Sequence, residues 1–213
     1  MKQPYFNLDP NATPYNHTTI SKDELEERLR DKVDVLDIHK IISAYELAES
    51  VHEPITRNDG TPYFYHSARV CKLLVDELEC YDADTLAAAL LHDVLEDSTT
   101  VTKEVLEYNF GQYVAYIVET LTKDLATQRQ KPDEIDLAHV EKLHNASEDC
   151  LLIRLAARLD NFRCLEFNLK RNPILYINNT TERYIPLAEK RPNSKRLQYL
   201  SRELKKERNK FLG

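Results

Sequence analysis

The sequence predicts an all-α protein, a bundle of roughly eight to eleven helices with at most one short β-hairpin. Two observations predict it. Apolar residues recur at i, i+3, i+4 and i+7 through most of the chain, the period of helices that turn one face to a core. Glycine is almost absent: Gly60, Gly111 and Gly213 are the only three in 213 residues, whereas the turns of a β-rich fold draw heavily on it. The apolar fraction of 42 % suffices for one sizeable core. No repeat, low-complexity run or clear linker divides the chain, so a single domain over residues 1–213 is expected.

Residues 1–20, rich in Pro, Asn, Thr and Tyr and without a period, read as an extended arm. Ser21 or Asp23 caps a short helix to about Leu29. Asp37–Val51 is a stronger helix, because Ile38, Ile41, Ile42, Tyr45, Leu47 and Ala48 form a stripe. Pro54, Asn58-Asp59-Gly60 and Pro62 make residues 53–62 a loop. Tyr63–Glu79 is helical, with Val70, Leu73, Leu74 and Leu78 on one side. Asp82 or Asp84 caps the next helix, which carries the run Thr85-Leu86-Ala87-Ala88-Ala89-Leu90-Leu91 into His92. Thr102-Lys103-Glu104 opens a helix that ends near Phe110-Gly111, and Gln112–Leu121 continues as another. Residues 123–134, polar and carrying Arg129, Lys131 and Pro132, form the longest internal loop. Helices over Ile135–Asn145 and Cys150–Phe167 follow, the latter the most apolar of all. Pro173 interrupts, a short helix spans Thr181–Glu189, and the charged stretch Ser194–Phe211 is expected as a surface helix.

Net charge is −7 with 31 % charged residues, an ordinary balance that argues against non-specific nucleic-acid binding. No apolar run approaches the roughly 18 residues of a membrane span. The N-terminus lacks a signal-peptide pattern, so a cytoplasmic protein with no membrane partner is expected. Cys71, Cys80, Cys150 and Cys164 form no Cys-x-x-Cys pair and sit among apolar helical residues, the pattern of reduced, buried thiols rather than a zinc-thiolate site.

The chemistry concentrates in His92-Asp93-Val94-Leu95-Glu96-Asp97. Adjacent His and Asp can both ligate one divalent metal, and imidazole with carboxylate suits several first-row ions. Glu96 and Asp97 follow about one helical turn later, placed to handle protons of a nearby water. His66, which closes Thr61-Pro62-Tyr63-Phe64-Tyr65-His66, is the candidate for a further ligand. Taken alone, each of these residues has a plainer reading as a cap, a surface group or a solvated helix end, and the spacing by itself does not decide.

Five ordered blocks resemble the HD-domain superfamily, and specifically the hydrolase domain of the RelA/SpoT alarmone enzymes. His52, Arg57, Asp59-Gly60, Pro62-Tyr63 and His66 fit the opening motif, and Ala87 through Asp97 fit the central one. Phe110-Gly111, Val114, Val118 and Thr122-Lys123 fit the next stretch, and Leu155-Ala156, Arg158-Leu159 and Asn161 the fourth. Glu182, Tyr184 and Pro186-Leu187-Ala188 fit the last. The resemblance implies one Mn²⁺ per chain, or another first-row divalent ion, held by His66, His92, Asp93 and a distal aspartate. It implies Glu96 and Asp97 as the catalytic carboxylates. Arg57 would lie against the base and Asn161 near the ribose. Lys123, Arg129, Lys131, Lys142 and Arg154 are possible phosphate partners. The implied substrate is guanosine tetra- or pentaphosphate, cleaved at the 3′-pyrophosphate to GDP or GTP, with no synthetase domain expected.

One position departs from the pattern. The distal aspartate falls on Ala157, in Ala156-Ala157-Arg158-Leu159-Asp160-Asn161, and a methyl group cannot ligate a metal. Asp160, three residues on and a neighbour on a helix surface, is a candidate substitute, although a contact to another helix or to solvent suits it better. Ala157 reads either as decay of the site or as a substitution that holds substrate without turnover; the well-kept surroundings favour the second. Two alternatives to alarmone hydrolysis stand beside it: an HD hydrolase of another nucleotide, such as an adenosine alarmone or NADPH, and a catalytically weak nucleotide-binding regulatory module.

Overall fold

The computed structural model describes residues 13–123, 131–167 and 172–212. The first part of the N-terminal arm and most of the 123–134 loop, Arg129 included, lie outside the described residues. The described residues form the all-α bundle expected. Their one sheet-like feature is an isolated antiparallel bridge between Thr56 and Pro62, which closes the loop after the second helix.

α1 (Lys22–Leu29) begins at Ser21, whose hydroxyl accepts from the Glu24 N–H while the Glu24 carboxylate accepts from the Ser21 N–H, a capping box. α2 (Val35–His52) begins at Asp34, which accepts from the Leu36 and Asp37 N–H groups. The apolar period places this start at Asp37, too late. Val35 and Leu36 are 63 % and 74 % exposed, so the first turn carries no core-facing signal. α3 (Phe64–Asp76) ends three residues before the predicted Glu79. Glu79 takes a left-handed backbone, and Leu78 reaches the core from the turn rather than from the helix.

α4 (Ala83–Leu91) is capped by Asp82, whose carboxylate accepts from both the Thr85 N–H and its hydroxyl at 2.8 Å. Every residue of α4 except Asp84 is buried. It packs against α2 and α3 on the inside of the bundle, and its short alanines leave room for neighbours on several sides. A single turn, α5 (Val94–Asp97), follows. α6 (Lys103–Phe110) and α7 (Gln112–Leu121) are separated by Gly111 at φ +93°, a backbone that side-chain-bearing residues avoid.

α8 (Pro132–Asn145) starts earlier than the sequence suggested. Pro132 reads as a loop breaker, but in the first helical turn its missing N–H costs nothing and its fixed φ favours the helix. The same holds for Pro173 at the head of α10 (Pro173–Asn179), with Asn172 as cap. Between them lies α9 (Glu148–Arg163), which packs against α3, α4 and α7. A π-helical turn, Thr180–Tyr184, joins α10 to α11 (Ile185–Glu189). α12 (Lys195–Leu212) is less of a surface helix than its charge implies: Leu197, Leu200 and Leu204 are fully buried, and it lies along α9. One cluster of buried apolar side chains runs from Ile20 to Leu204. All four cysteines are free and buried, as expected.

The Asp82 cap fixes the start of the helix that ends at His92. Asp82→Ala is expected to cost about 1 kcal/mol of stability, the usual loss for an N-cap carboxylate, read as a lower urea midpoint at an unchanged slope.

Candidate active site

α4 stops at the most chemically charged point of the sequence. His92 is its C-cap, and Asp93 takes φ −106°, ψ −3° between α4 and α5. The His92 Nδ1–H donates to the Ala89 carbonyl at 2.7 Å, which leaves Nε2 as the free acceptor. The Tyr63 hydroxyl donates to Asp93 Oδ2 at 3.0 Å. His66, in the first turn of α3, donates its Nδ1–H to Asp160 Oδ2 at 2.6 Å. Burial, against the pull of Asp160, lowers the His66 imidazolium to about 4, so the ring is neutral near pH 7 with its lone pair on Nε2. One donor atom from each of His66, His92 and Asp93 falls within 4.8 Å of the others, and all three residues are buried. Two imidazoles and a carboxylate are a donor set for a first-row divalent ion. With one nitrogen of each ring already tied to protein, the residues present fit such an ion.

The cleft beside them measures about 370 Å³. α9 forms one wall with Arg154, Ala157, Arg158 and Asn161, spaced i, i+3, i+4 and i+7 and therefore on a single helix face. Ala157 thus stands on the wall that faces the three donors. Asp160 does not. It points from another face of α9 toward α3 and is completely buried. His66, Arg69 and Tyr15 all donate to its carboxylate. Burial opposes its charge, but the His66 hydrogen bond and the Arg69 guanidinium hold it well below the usual carboxylate range. Asp160 therefore faces away from the three donors, and its hydrogen bond to Nδ1 holds the His66 ring.

Glu96 and Asp97 part company at α5. Glu96 lines the cleft, and its Oε1 accepts from the Lys123 N–H at 2.7 Å. Burial, reinforced by the neighbouring Asp93 charge, pushes its carboxyl up to about 7. Asp97 turns away from the cleft toward α2, where its Oδ2 lies 3.4 Å from Nε2 of the fully buried His52.

The Thr56–Pro62 loop brings Arg57 across the cleft. Its guanidinium donates to Asn161 Oδ1 at 2.8 Å and sits 5.9 Å from the centre of the Tyr63 ring. The two residues expected to bind substrate are thus joined to each other. At the far end the cleft is cationic. Lys123, Arg154 and Arg158 all line it; Asp136 accepts from Lys123 at 3.1 Å, Arg158 at 3.5 Å, Arg183 at 3.1 Å and Tyr184 at 2.6 Å, while Arg154 donates to the Leu121 carbonyl. Burial and the neighbouring Arg154 and Arg158 bring the Lys123 ammonium down to about 8. Lys131 and Lys142 are elsewhere: the first pairs with Glu134 on the surface, the second with the Glu119 carbonyl. Sequence reasoning gave no role to Tyr63, Arg69 or Asp136. Arg69 had a readable signal, since it follows His66 by three residues on one helix. Asp136 had none, because its partners come from three separate segments.

A model of the HD domain matches residues 44–193. The chain belongs to the HD-domain family. HD domains are metal-dependent hydrolases, and the three-residue cluster here is of the kind that could hold an ion. This HD domain is 32 % identical over 171 residues to a guanosine-3′,5′-bis(diphosphate) 3′-pyrophosphohydrolase of Vibrio cholerae, across 79 % of the chain and 24 % of that relative. It is 34 % identical over 156 residues to the bifunctional (p)ppGpp synthase/hydrolase SpoT of Escherichia coli, across 72 % of the chain and 22 % of the relative. The chain therefore spans less than a quarter of the length of these curated relatives. Among solved structures, a metazoan ortholog of SpoT, described as hydrolysing ppGpp, superposes with a TM-score of 0.68 at 27 % identity, covering 79 % of this chain and 95 % of that one. Among the described residues no helix is long and apolar enough to cross a membrane.

Proposed function

We propose that this HD domain hydrolyses the 3′-pyrophosphate of ppGpp and pppGpp, yielding GDP or GTP and pyrophosphate, and that Ala157 makes it slow. The observation that carries the reading is one cleft that holds three metal donors, a carboxylate poised near neutrality, an Arg–Asn pair and three further cations. The names of the Vibrio relative and the metazoan neighbour support the same reaction.

In this reading His66, His92 and Asp93 would hold Mn²⁺, which would supply Lewis acidity. Glu96 takes a proton from the attacking water and returns it to the departing 3′ oxygen. The water oxygen goes to phosphorus, the phosphorus–oxygen bond to the ribose breaks, and pyrophosphate leaves intact. A carboxyl near 7 serves both halves of that exchange, because its two forms are similarly populated at the working pH. Asp97, braced beside His52, supports the end of α5 that carries Glu96. Arg57 lies against the base, Asn161 approaches the ribose, and Lys123, Arg154 and Arg158 offset the phosphate charge.

Arg57→Ala is expected to raise the dissociation constant for ppGpp about tenfold, near 1.4 kcal/mol, in the range for a partly desolvated guanidinium over a ring. The thermal midpoint should hardly move. Calorimetric titration with ppGpp checks it, and unchanged affinity would refute contact between Arg57 and the base.

Ala157 favours a second reading, a module that binds nucleotide and barely turns it over. Guanidinium stacking does not separate guanine from adenine, so the deciding experiment is a panel of ppGpp, pppGpp, an adenosine alarmone and NADPH, each with Mn²⁺. Binding and slow release of pyrophosphate from the guanosine compounds alone is the expected result. Preference for another nucleotide would overturn the substrate assignment.

A further inference from the structure

The metal-ligand reading of His66 accounts for one face of that ring and leaves unexplained what holds the other. Behind His66, Asp160 is fully buried and both its oxygens are occupied. Oδ2 accepts from His66 at 2.6 Å and from Arg69 Nη2 at 3.2 Å; Oδ1 accepts from Arg69 Nε at 2.7 Å and from the Tyr15 hydroxyl at 3.1 Å. Arg69 does not end there. Its Nη1 donates to the carbonyls of Asn16 at 2.9 Å and Thr18 at 3.0 Å. Two guanidiniums lie near the Tyr15 ring, Arg69 at 5.4 Å and Arg163 at 5.7 Å from its centre. Arg163 is itself anchored to Glu77, which also accepts from Tyr199 of α12. Residues 15–18 are thus clamped across the back of the His66–Asp160 pair, nearly 50 positions away from the nearer partner in the sequence.

We infer that Tyr15 is a positioning residue for the metal site, acting through Asp160 on the orientation of His66. The carboxylate is bound to Arg69 by a fork, which fixes its plane but leaves it free to rock about the guanidinium edge. The Tyr15 hydroxyl approaches Oδ1 from a different segment and removes that freedom. With Asp160 fixed, the short bond to Nδ1–H sets the ring so that Nε2 faces His92 and Asp93. Losing the hydroxyl leaves Oδ1 still bonded to Arg69, so the charge of Asp160 is retained and what is lost is direction. The same strap makes a second side-chain bond, Asn16 Nδ2 to Asp59 Oδ2 at 3.2 Å. This one leads to the Arg57 loop, whose guanidinium lies 3.9 Å from Asp160 Oδ2 but donates no hydrogen bond to it, so it serves as the control for mere loosening of the strap.

The test compares the full chain with Tyr15→Phe, Asn16→Ala and His66→Ala, using Mn²⁺ alone as ligand. In the metal-free proteins, proton NMR follows water exchange of the hydrogen-bonded His66 Nδ1–H, assigned by its absence in His66→Ala. Calorimetry then gives the Mn²⁺ dissociation constants. Tyr15→Phe should speed the Nδ1–H exchange several-fold and weaken Mn²⁺ by about threefold to tenfold. That is less than the roughly 10–100-fold loss on removing a direct hydrogen-bond partner of a ligand, because Tyr15 stands one bond further out. Asn16→Ala should change neither. Equal effects of the two variants, an unchanged Nδ1–H exchange in Tyr15→Phe, or a faster exchange with Mn²⁺ affinity unaltered would each overturn the inference. If the unaltered chain binds Mn²⁺ no better than His66→Ala does, the metal-site reading fails instead, and the exchange comparison in metal-free protein decides the role of Tyr15 alone.

Discussion

Ala157→Asp is expected to raise Mn²⁺-dependent hydrolysis of ppGpp by at least about a hundredfold, equivalent to about 2.7 kcal/mol of barrier lowering. Ala157 shares its helix face with Arg154, Arg158 and Asn161 and lines the cleft with His66, His92 and Asp93, so a carboxylate there would meet the donors already assembled. An anionic oxygen beside a divalent ion should tighten its binding more than the 10–100-fold usually ascribed to outer hydrogen-bond partners. Calorimetry with Mn²⁺ and a pyrophosphate-release assay, run on both chains, separate affinity from turnover. Asp160 cannot mask the effect by standing in, since His66, Arg69 and Tyr15 occupy both its oxygens on another face of α9. Full activity of the present chain would therefore mean that water or a substrate oxygen completes the site unaided. A variant that binds metal tightly and leaves every nucleotide intact would refute the hydrolase reading itself.

How much of this was legible follows from the range of the interactions. The fold class was, because helical period is a local property, and the caps were legible as pairs of candidates, Ser21 or Asp23 and Asp82 or Asp84, of which the structure uses Ser21 and Asp82, each an oxygen within three residues of the N–H it serves. Helix ends were less so where the deciding contact is tertiary: exposed Val35 and Leu36 hide the start of α2, and Pro132 and Pro173 look like breakers until seen in first turns. His66, His92 and Asp93 could be named from a motif, yet their approach to one another joins α3 to the end of α4 and needs the packed bundle. For Asp160 the preferred expectation of a contact to another helix holds, with His66 and Arg69 of α3 as partners, but helical spacing alone could not say which helix it meets. Asp136, with donors from residues 123, 158, 183 and 184, had no local pattern to reveal it.

The carboxylates of α5 make opposite demands on a test, and Glu96→Gln separates them. Placed in the Ala157→Asp background, where turnover is measurable, it is expected to lower the rate by roughly 10²–10⁴ while Mn²⁺ affinity changes little. Gln keeps the length of the side chain, and its amide oxygen can still accept the Lys123 N–H that Glu96 holds at 2.7 Å, so the position of α5 should survive. What disappears is the proton exchange. The pH profile supplies an independent sign. Burial and the Asp93 charge place the Glu96 carboxyl at about 7; in the proposed mechanism its ionised form is the base, so the rate should fall as the pH drops through that value. A cation at His66, His92 and Asp93 offsets the Asp93 charge and moves the same limb to lower pH, never to higher. Glu96→Gln should abolish the limb, leaving a slow and nearly flat profile. Parallel loss of metal and turnover would make Glu96 a ligand rather than the base. An unchanged limb in the variant would assign it to another group, with Asp97 beside His52 the next carboxylate in line.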